Sequence, residues 1–182
     1  MASQVKLFSP TSLLTLLLPI VALIGALVSR SYLFLDYVHV ITGGTWTGID
    51  LFMGVVFGRM LRSLDPRTRA EIIKRLVPMM LFLMPALASV ATTAGIYLAM
   101  DNGILSLSNR LFLTAGAIVL VLIVQGFGLI LPNEIRLYME LRKPNPDINK
   151  VVRLGMRNIY ISGSQVIFQI AVIFVMAELA VQ

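Results

Sequence analysis

"LFLTAGAIVLVLIVQGFGLIL", residues 111–131, runs for 21 residues without one charged side chain. At 1.5 Å per residue, a helix of that length crosses a hydrocarbon slab of ~30 Å. Residues 11–29 are equally free of charge. The whole chain follows suit: of 182 residues, 58% are apolar and 13% charged, with a mean hydropathy of +0.89. Soluble domains stand near ~45–50% apolar and ~25% charged. The composition is that of an integral membrane protein, and the fold class it predicts is an all-α bundle of five transmembrane helices.

The interruptions define the spans: about 11–30, 33–62, 75–100, 109–135 and 156–180, in a single domain covering 1–182. Between the first two only Arg30-Ser31 is polar, so that turn is tight. "RSLDPRTRAEIIKR" (62–75) is charged, and its Asp65-Pro66 pair favours a turn or a helix start. "MDNGILSLSN" (100–109) carries an Asn-Gly turn signal. "RKPNPDINK" (142–150) has two prolines that stop a helix, then Asp147 as a first-turn residue.

Basic residues set the expected orientation. Arg59, Arg62, Arg67, Arg69, Lys74 and Arg75 flank one loop, and Arg136, Arg142, Lys143, Lys150, Arg153 and Arg157 flank another two spans later. With Lys6, 13 of the 15 basic residues fall on one side, leaving Arg30 and Arg110 on the other. The bias predicts a cytoplasmic N-terminus and an external C-terminus in a multi-pass protein of a prokaryotic cell membrane. The first span resembles a signal peptide in its single Lys and apolar run, but it has no small-x-small cleavage site and is expected to remain. The net charge of +6 therefore belongs to loops at a lipid surface rather than to nucleic-acid binding.

Several chemistries are excluded. The chain has no Cys, hence no disulfide, iron–sulfur cluster or cysteine-bound zinc. It has no P-loop, dinucleotide glycine fingerprint, HExxH or CxxC. "SGS" at 162–164 lacks the second histidine and the strand–turn–helix setting of a hydrolase.

What remains is concentrated in "DYVHVITGGTWTGID" (36–50), which holds the only His and the only Trp. At 100° per residue, Asp36, Gly43, Trp46, Asp50, Met53, Gly54 and Phe57 fall within about 60° of His39. Gly44 and Gly48 lie beside that stripe, and Gly58 follows Gly54 by four, the spacing that lets a backbone or a flat ligand come close. His39 sits toward the outer leaflet, with Asp50 ~16 Å deeper at 1.5 Å per residue. A carboxylate at that depth needs a partner or a water-filled cavity. Asn158, Ser162, Gln165, Gln169 and Met176 form a second stripe, and Gln125 and Gln169 share the depth of Asp50. Glu134 and Asn133, beside Pro132, mark the cytoplasmic end of span 4. These groups serve either as interhelical hydrogen-bonding glue or as a proton path through Asp36, Asp50, Gln125 and Gln169.

"YVHVITGGTWTGIDLFMGVVFGRM" (37–60) resembles the histidine helix of a superfamily of small membrane haem proteins. It includes the HemJ-type protoporphyrinogen oxidases, the copper-resistance D family and the membrane portion of a cytochrome-linked urate oxidase. His39, Trp46, Gly48 and the closing Arg59 carry the resemblance. It implies a haem b ligated by His39. HemJ-type enzymes also use a lysine inside a later membrane helix, and spans 3 to 5 here have none, since Lys74 stands at an end. The resemblance thus implies the cofactor more than the oxidase activity.

A haem fits the neighbouring residues. Gly43 would let the flat macrocycle approach, Trp46 could stack on it, and Arg30 or Arg110 could meet the propionates. For the iron's sixth position Met176, Met100 and Tyr97 reach a similar depth; a five-coordinate iron or a bis-His site shared by two chains stays open. The expected function is one-electron transfer or haem-dependent redox chemistry with a quinol or a periplasmic redox protein, in a homo-oligomer. The alternative is a haem-free transporter or channel for protons or copper ions, built on the midplane polar groups. Met79, Met80 and Met84 offer thioethers for copper, but such residues are also ordinary gap fillers.

Overall fold

A computed structural model of the protein describes residues 10–181; Lys6 and its part in the charge bias lie outside them. The described residues are helical, with no strand. Five helices, each long and apolar enough to cross a membrane, follow one another: α1 (Pro10–Ser29), α2 (Tyr32–Arg62), α3 (Pro66–Asp101), α4 (Arg110–Leu141) and α5 (Ile148–Ala180). Their outer faces carry Leu18, Val28, Ile167 and Phe174, each more than 60% exposed. An apolar surface this extensive marks a face that meets lipid or another protein.

Local sequence explains each start. Ser31 caps α2, its hydroxyl accepting from Phe34 N–H at 3.2 Å. The reversal before it places Arg30 at φ +52°, a left-handed position that costs a non-glycine residue about 1–2 kcal/mol. Asp65 caps α3 by accepting from the N–H groups of Arg67 and Thr68 at 3.0 and 3.2 Å, with Pro66 at the first helical position. The Thr68 side chain and those N–H groups hold the Asp65 carboxyl below the usual carboxylate range. Asn109 caps α4 and Asp147 caps α5 in the same way. The turn at Asn102-Gly103 uses glycine at φ +67°.

The helices outrun the expected spans. Residues 66–74, expected in a charged loop, are the first turns of α3, because the Asp65-Pro66 cap starts a helix there and only residues 63–65 connect it to α2. At 36 residues α3 is about 54 Å long, well beyond the hydrocarbon. α4 extends past 135 to Leu141, and α5 begins at Ile148 rather than 156. The added turns carry the basic residues, whose charges need water and not lipid.

α2, α3, α4 and α5 form a four-helix bundle, and α1 lies outside it against α2 and α3. α2 meets α5 where Gly54 and Gly163 touch backbone to backbone: a Cβ on Gly54 would collide with Gly163 Cα. Four residues on, a Cβ on Gly58 would stand 2.9 Å from Ile159. Lipid tails are as apolar as leucine, so such close backbone contacts, with interhelical hydrogen bonds, hold the bundle together.

Two helices widen locally into π turns, at Phe52–Phe57 in α2 and Val124–Ile130 in α4. Gly58 N–H reaches back five residues to Met53 O, and Leu131 N–H to Gly126 O. In α4 the cause is local: Pro132 has no N–H and crowds the preceding turn. In α2 the wide turn falls on the Gly54 crossing. The basic end of the bundle closes around Leu61, Ile73, Val77, Leu137 and Val151. There Glu140 accepts from Lys143 at 2.8 Å and Lys150 at 2.7 Å, tying α4 to α5.

Candidate functional site

The stripe expected on α2 divides between two cavities. The buried face of α2 is Leu35, Val38, Thr42, Trp46 and Asp50, so His39 and Asp36 lie on its flank, half-buried.

His39 faces α3. Its Nδ1 donates to the backbone carbonyl of Ala91 at 2.8 Å. A carbonyl only accepts, so Nδ1 carries the hydrogen and a neutral ring keeps a bare lone pair at Nε2. Among the described residues Nε2 has no hydrogen-bond partner. The ring reaches this position because α3 has glycine at 95: a Cβ there would stand 2.8 Å from His39 Cε1. Ala91 and Gly95 are four residues apart, so one small face of α3 accommodates the imidazole and supplies its acceptor.

The outer cleft beside His39 opens at the end of the bundle away from the basic residues. α3 meets α4 mainly through residues 131–141, and toward the opposite end the two part. The cleft holds about 440 Å³, within the ~300–1,000 Å³ of small-molecule sites. α2 contributes His39 and Asp36, α3 Gly95 and Ile96, α4 Phe112 and Ala115, and α5 Met176 and Leu179. Its wall is apolar apart from a few polar groups such as Tyr32, Asp36, His39 and Asn102.

The inner cavity lies between mid-bundle and the basic end. It measures about 80 Å³ and is bordered by Trp46 and Asp50 of α2, Met80 and Met84 of α3, Glu134 of α4, and Asn158, Ser162 and Gln165 of α5. Asp50 is 0% exposed; its Oδ2 accepts from Gln169 Nε2 at 2.9 Å, while Oδ1 has no well-formed partner. Ser162 and the Trp46 indole stand beside the carboxyl. Glu134 is 7% exposed and has no partner among the described residues. Asn133 Nδ2 donates to Leu154 O at 2.9 Å and to Asn158 Oδ1 at 2.6 Å, bridging α4 to α5.

The expected site residues are therefore distributed as follows. His39, Asp36 and Met176 share the outer cleft. Arg30 and Arg110 are exposed at the same end, outside the cleft lining; Arg110 opens α4, two residues before Phe112. Trp46 lines the inner cavity instead, and Gly43 faces Ala91, whose Cβ lies 3.9 Å from where a Cβ added at Gly43 would stand. Asp50 and Gln169 are joined as their depths suggested. Gln125 donates to Ser164 Oγ at 3.4 Å and does not line the cavity. Met79 is exposed, and among the described residues no group of three His, Cys, Asp or Glu side chains is arranged to hold a metal.

Sequence reasoning did not anticipate Ala91 and Gly95, whose spacing of four was the available signal, nor the role of Glu134 as a cavity wall. No family model, curated protein or solved structure matches this chain.

Proposed function

We propose that the chain is a multi-pass membrane protein, with its basic end in the cytoplasm, that binds haem b in the outer cleft and passes single electrons. The observation that supports this most directly is the His39 hydrogen bond to Ala91 O, which fixes the ring and leaves Nε2 as its donor atom. A histidine that ligates a metal commonly has its other nitrogen held in this way. The donor set also fits: an imidazole from α2 and the Met176 thioether from α5 border one largely apolar cleft.

The bound iron would supply one-electron exchange. The chain's own work is to orient His39 through Ala91, leave room for it at Gly95, and exclude water with Ile96, Phe112 and Leu179. Arg110 and Arg30, at the same end, are the available cations for the propionates. A quinol or an external redox protein would meet this end, and the outward-facing Gly44 and Gly48 offer a surface for a second copy.

The test is the visible spectrum of purified protein, oxidised and then dithionite-reduced. The expected result is a Soret band that sharpens on reduction and is lost in His39→Ala. Met176→Leu should retain the band and shift it if the thioether ligates. A protein that stays colourless after haem reconstitution overturns the reading and favours a haem-free transporter centred on Asp50.

A further inference from the structure

The inner cavity contains two carboxyl groups that the electron-transfer reading does not use. Asp50 and Glu134 are both more than nine-tenths buried, both border it, and among the described residues no Lys, Arg or His lines it. An isolated ionised carboxylate inside a bundle is strongly disfavoured unless a cation, a proton or water compensates it.

The hydrogen-bond inventory shows what is missing. Among the described residues, apart from Arg69 Nε, the buried side-chain atoms without a partner are all oxygens: Asp50 Oδ1, Gln125 Oε1, Asn133 Oδ1 and Gln169 Oε1. The orientation of Asn133 follows from its acceptor, Leu154 O, which only an amide N–H can satisfy, and that of Gln169 from an ionised Asp50 carboxylate, which can only accept. The interior is thus rich in acceptors and short of donors, which suits added protons and waters. An alkali cation would require several convergent oxygens, and most of the cavity wall is apolar, with Met53, Met80, Met84 and Ala88 among its lining.

We infer that Glu134 and Asp50 are the two ends of a short, water-bridged proton relay through this cavity. The spacing suits it. Ser162 stands beside Asp50, Asn158 lines the cavity one turn closer to the basic end, and that turn is about 6 Å at 1.5 Å per residue. A volume of about 80 Å³ accommodates several waters at ~10–15 Å³ each. A proton leaves the Glu134 carboxyl and passes to a water, and a proton from that file arrives on the Asp50 carboxylate. Asp50 becomes neutral, and Glu134, left anionic, takes its replacement from the basic end. The polar facing groups are few: Trp46 of α2 and Gln169 and Ser162 of α5 at Asp50, Asn158 and Gln165 of α5 elsewhere in the lining, and only apolar side chains from α3.

The relay does not rest on haem. Trp46, the only tryptophan, is beside Asp50 and reports its charge. The experiment is a stopped-flow pH jump on the full chain followed by Trp46 emission, with the carboxyl infrared band as a second reading. It is run on the natural chain and in a His39→Ala background, so loss of haem and failure of the relay are read separately. Glu134→Gln should slow Asp50 protonation by about a hundredfold, in the range of a positioned proton-transfer group, with an unchanged end-point. Glu134→Asp should restore much of the rate, and Asp50→Asn should abolish the signal. An unchanged rate in Glu134→Gln overturns the relay. So does a signal that follows sodium or potassium concentration at fixed pH, or an Asp50 band that does not respond to pH.

Discussion

At the scale of single residues, His39 illustrates how a backbone determines side-chain chemistry. The imidazole is oriented by a carbonyl that no substitution can delete, so its geometry is best tested through Gly95. A valine there would place a methyl-bearing carbon where the ring lies, 2.8 Å from Cε1 at its Cβ alone. Gly95→Val should displace the ring from Ala91 and sharply lower haem content, while far-UV circular dichroism stays helical. Haem content equal to that of the natural protein would show that the contact does not position the ligand. Asp50 presents the opposite case, a group surrounded by side chains. Its single strong bond, from Gln169, is worth about 0.6–2 kcal/mol inside a membrane bundle.

At the scale of elements, the α2–α5 crossing decides how the bundle closes. A Cβ on Gly54 would run into the backbone of Gly163, whereas a Cβ on Gly163 would stand 3.1 Å from Gly54 Cα. Gly54→Ala is therefore expected to destabilise by about 1–3 kcal/mol, as overpacking does, and Gly163→Ala by less. Thermal unfolding in detergent checks the order; equal midpoints for the two variants would contradict it. The same crossing coincides with the wide turn at Phe52–Phe57, and the α4 wide turn faces the inner cavity through Gly126, Phe127 and Ile130. π turns concentrate where a helix surface must be re-aimed. Here they flank the cavity that holds both buried carboxyls.

At the scale of the molecule, the two ends differ. The basic end is closed by an apolar cluster and by Glu140, 3% exposed and held by Lys143 and Lys150. The other end is open where α3 and α4 part. Glu140→Gln should weaken both ion pairs and loosen this end of the bundle, modestly because the lysines are half-exposed. Faster proteolysis of the 142–147 connection is the measurement; an unchanged cleavage rate would mean the clamp does not hold that end. Closure at one end and access at the other is the asymmetry that the proposed redox site and the proposed relay would use.

The amino-acid sequence by itself determined the class, the five helices, their caps and the gathering of charge at one end. Those features depend on residue type and short-range order: apolar runs, Asp65-Pro66, Asn102-Gly103 and the positions of Arg and Lys. Counting residues also put Asp50, Gln125 and Gln169 at one depth, because depth along a helix is a linear measure, but only Gln169 reaches the carboxyl. The tertiary structure alone decided which way each face points. A helical wheel drawn at 100° per residue puts His39 and Trp46 on one stripe, but the bundle has walls on several sides, and a stripe about 100° wide borders more than one neighbour. So His39 reaches Ala91 and the outer cleft, while Trp46 and Asp50 reach the inner cavity. The partner of His39 is a backbone carbonyl 52 residues away, and no side chain marks such a group in a sequence.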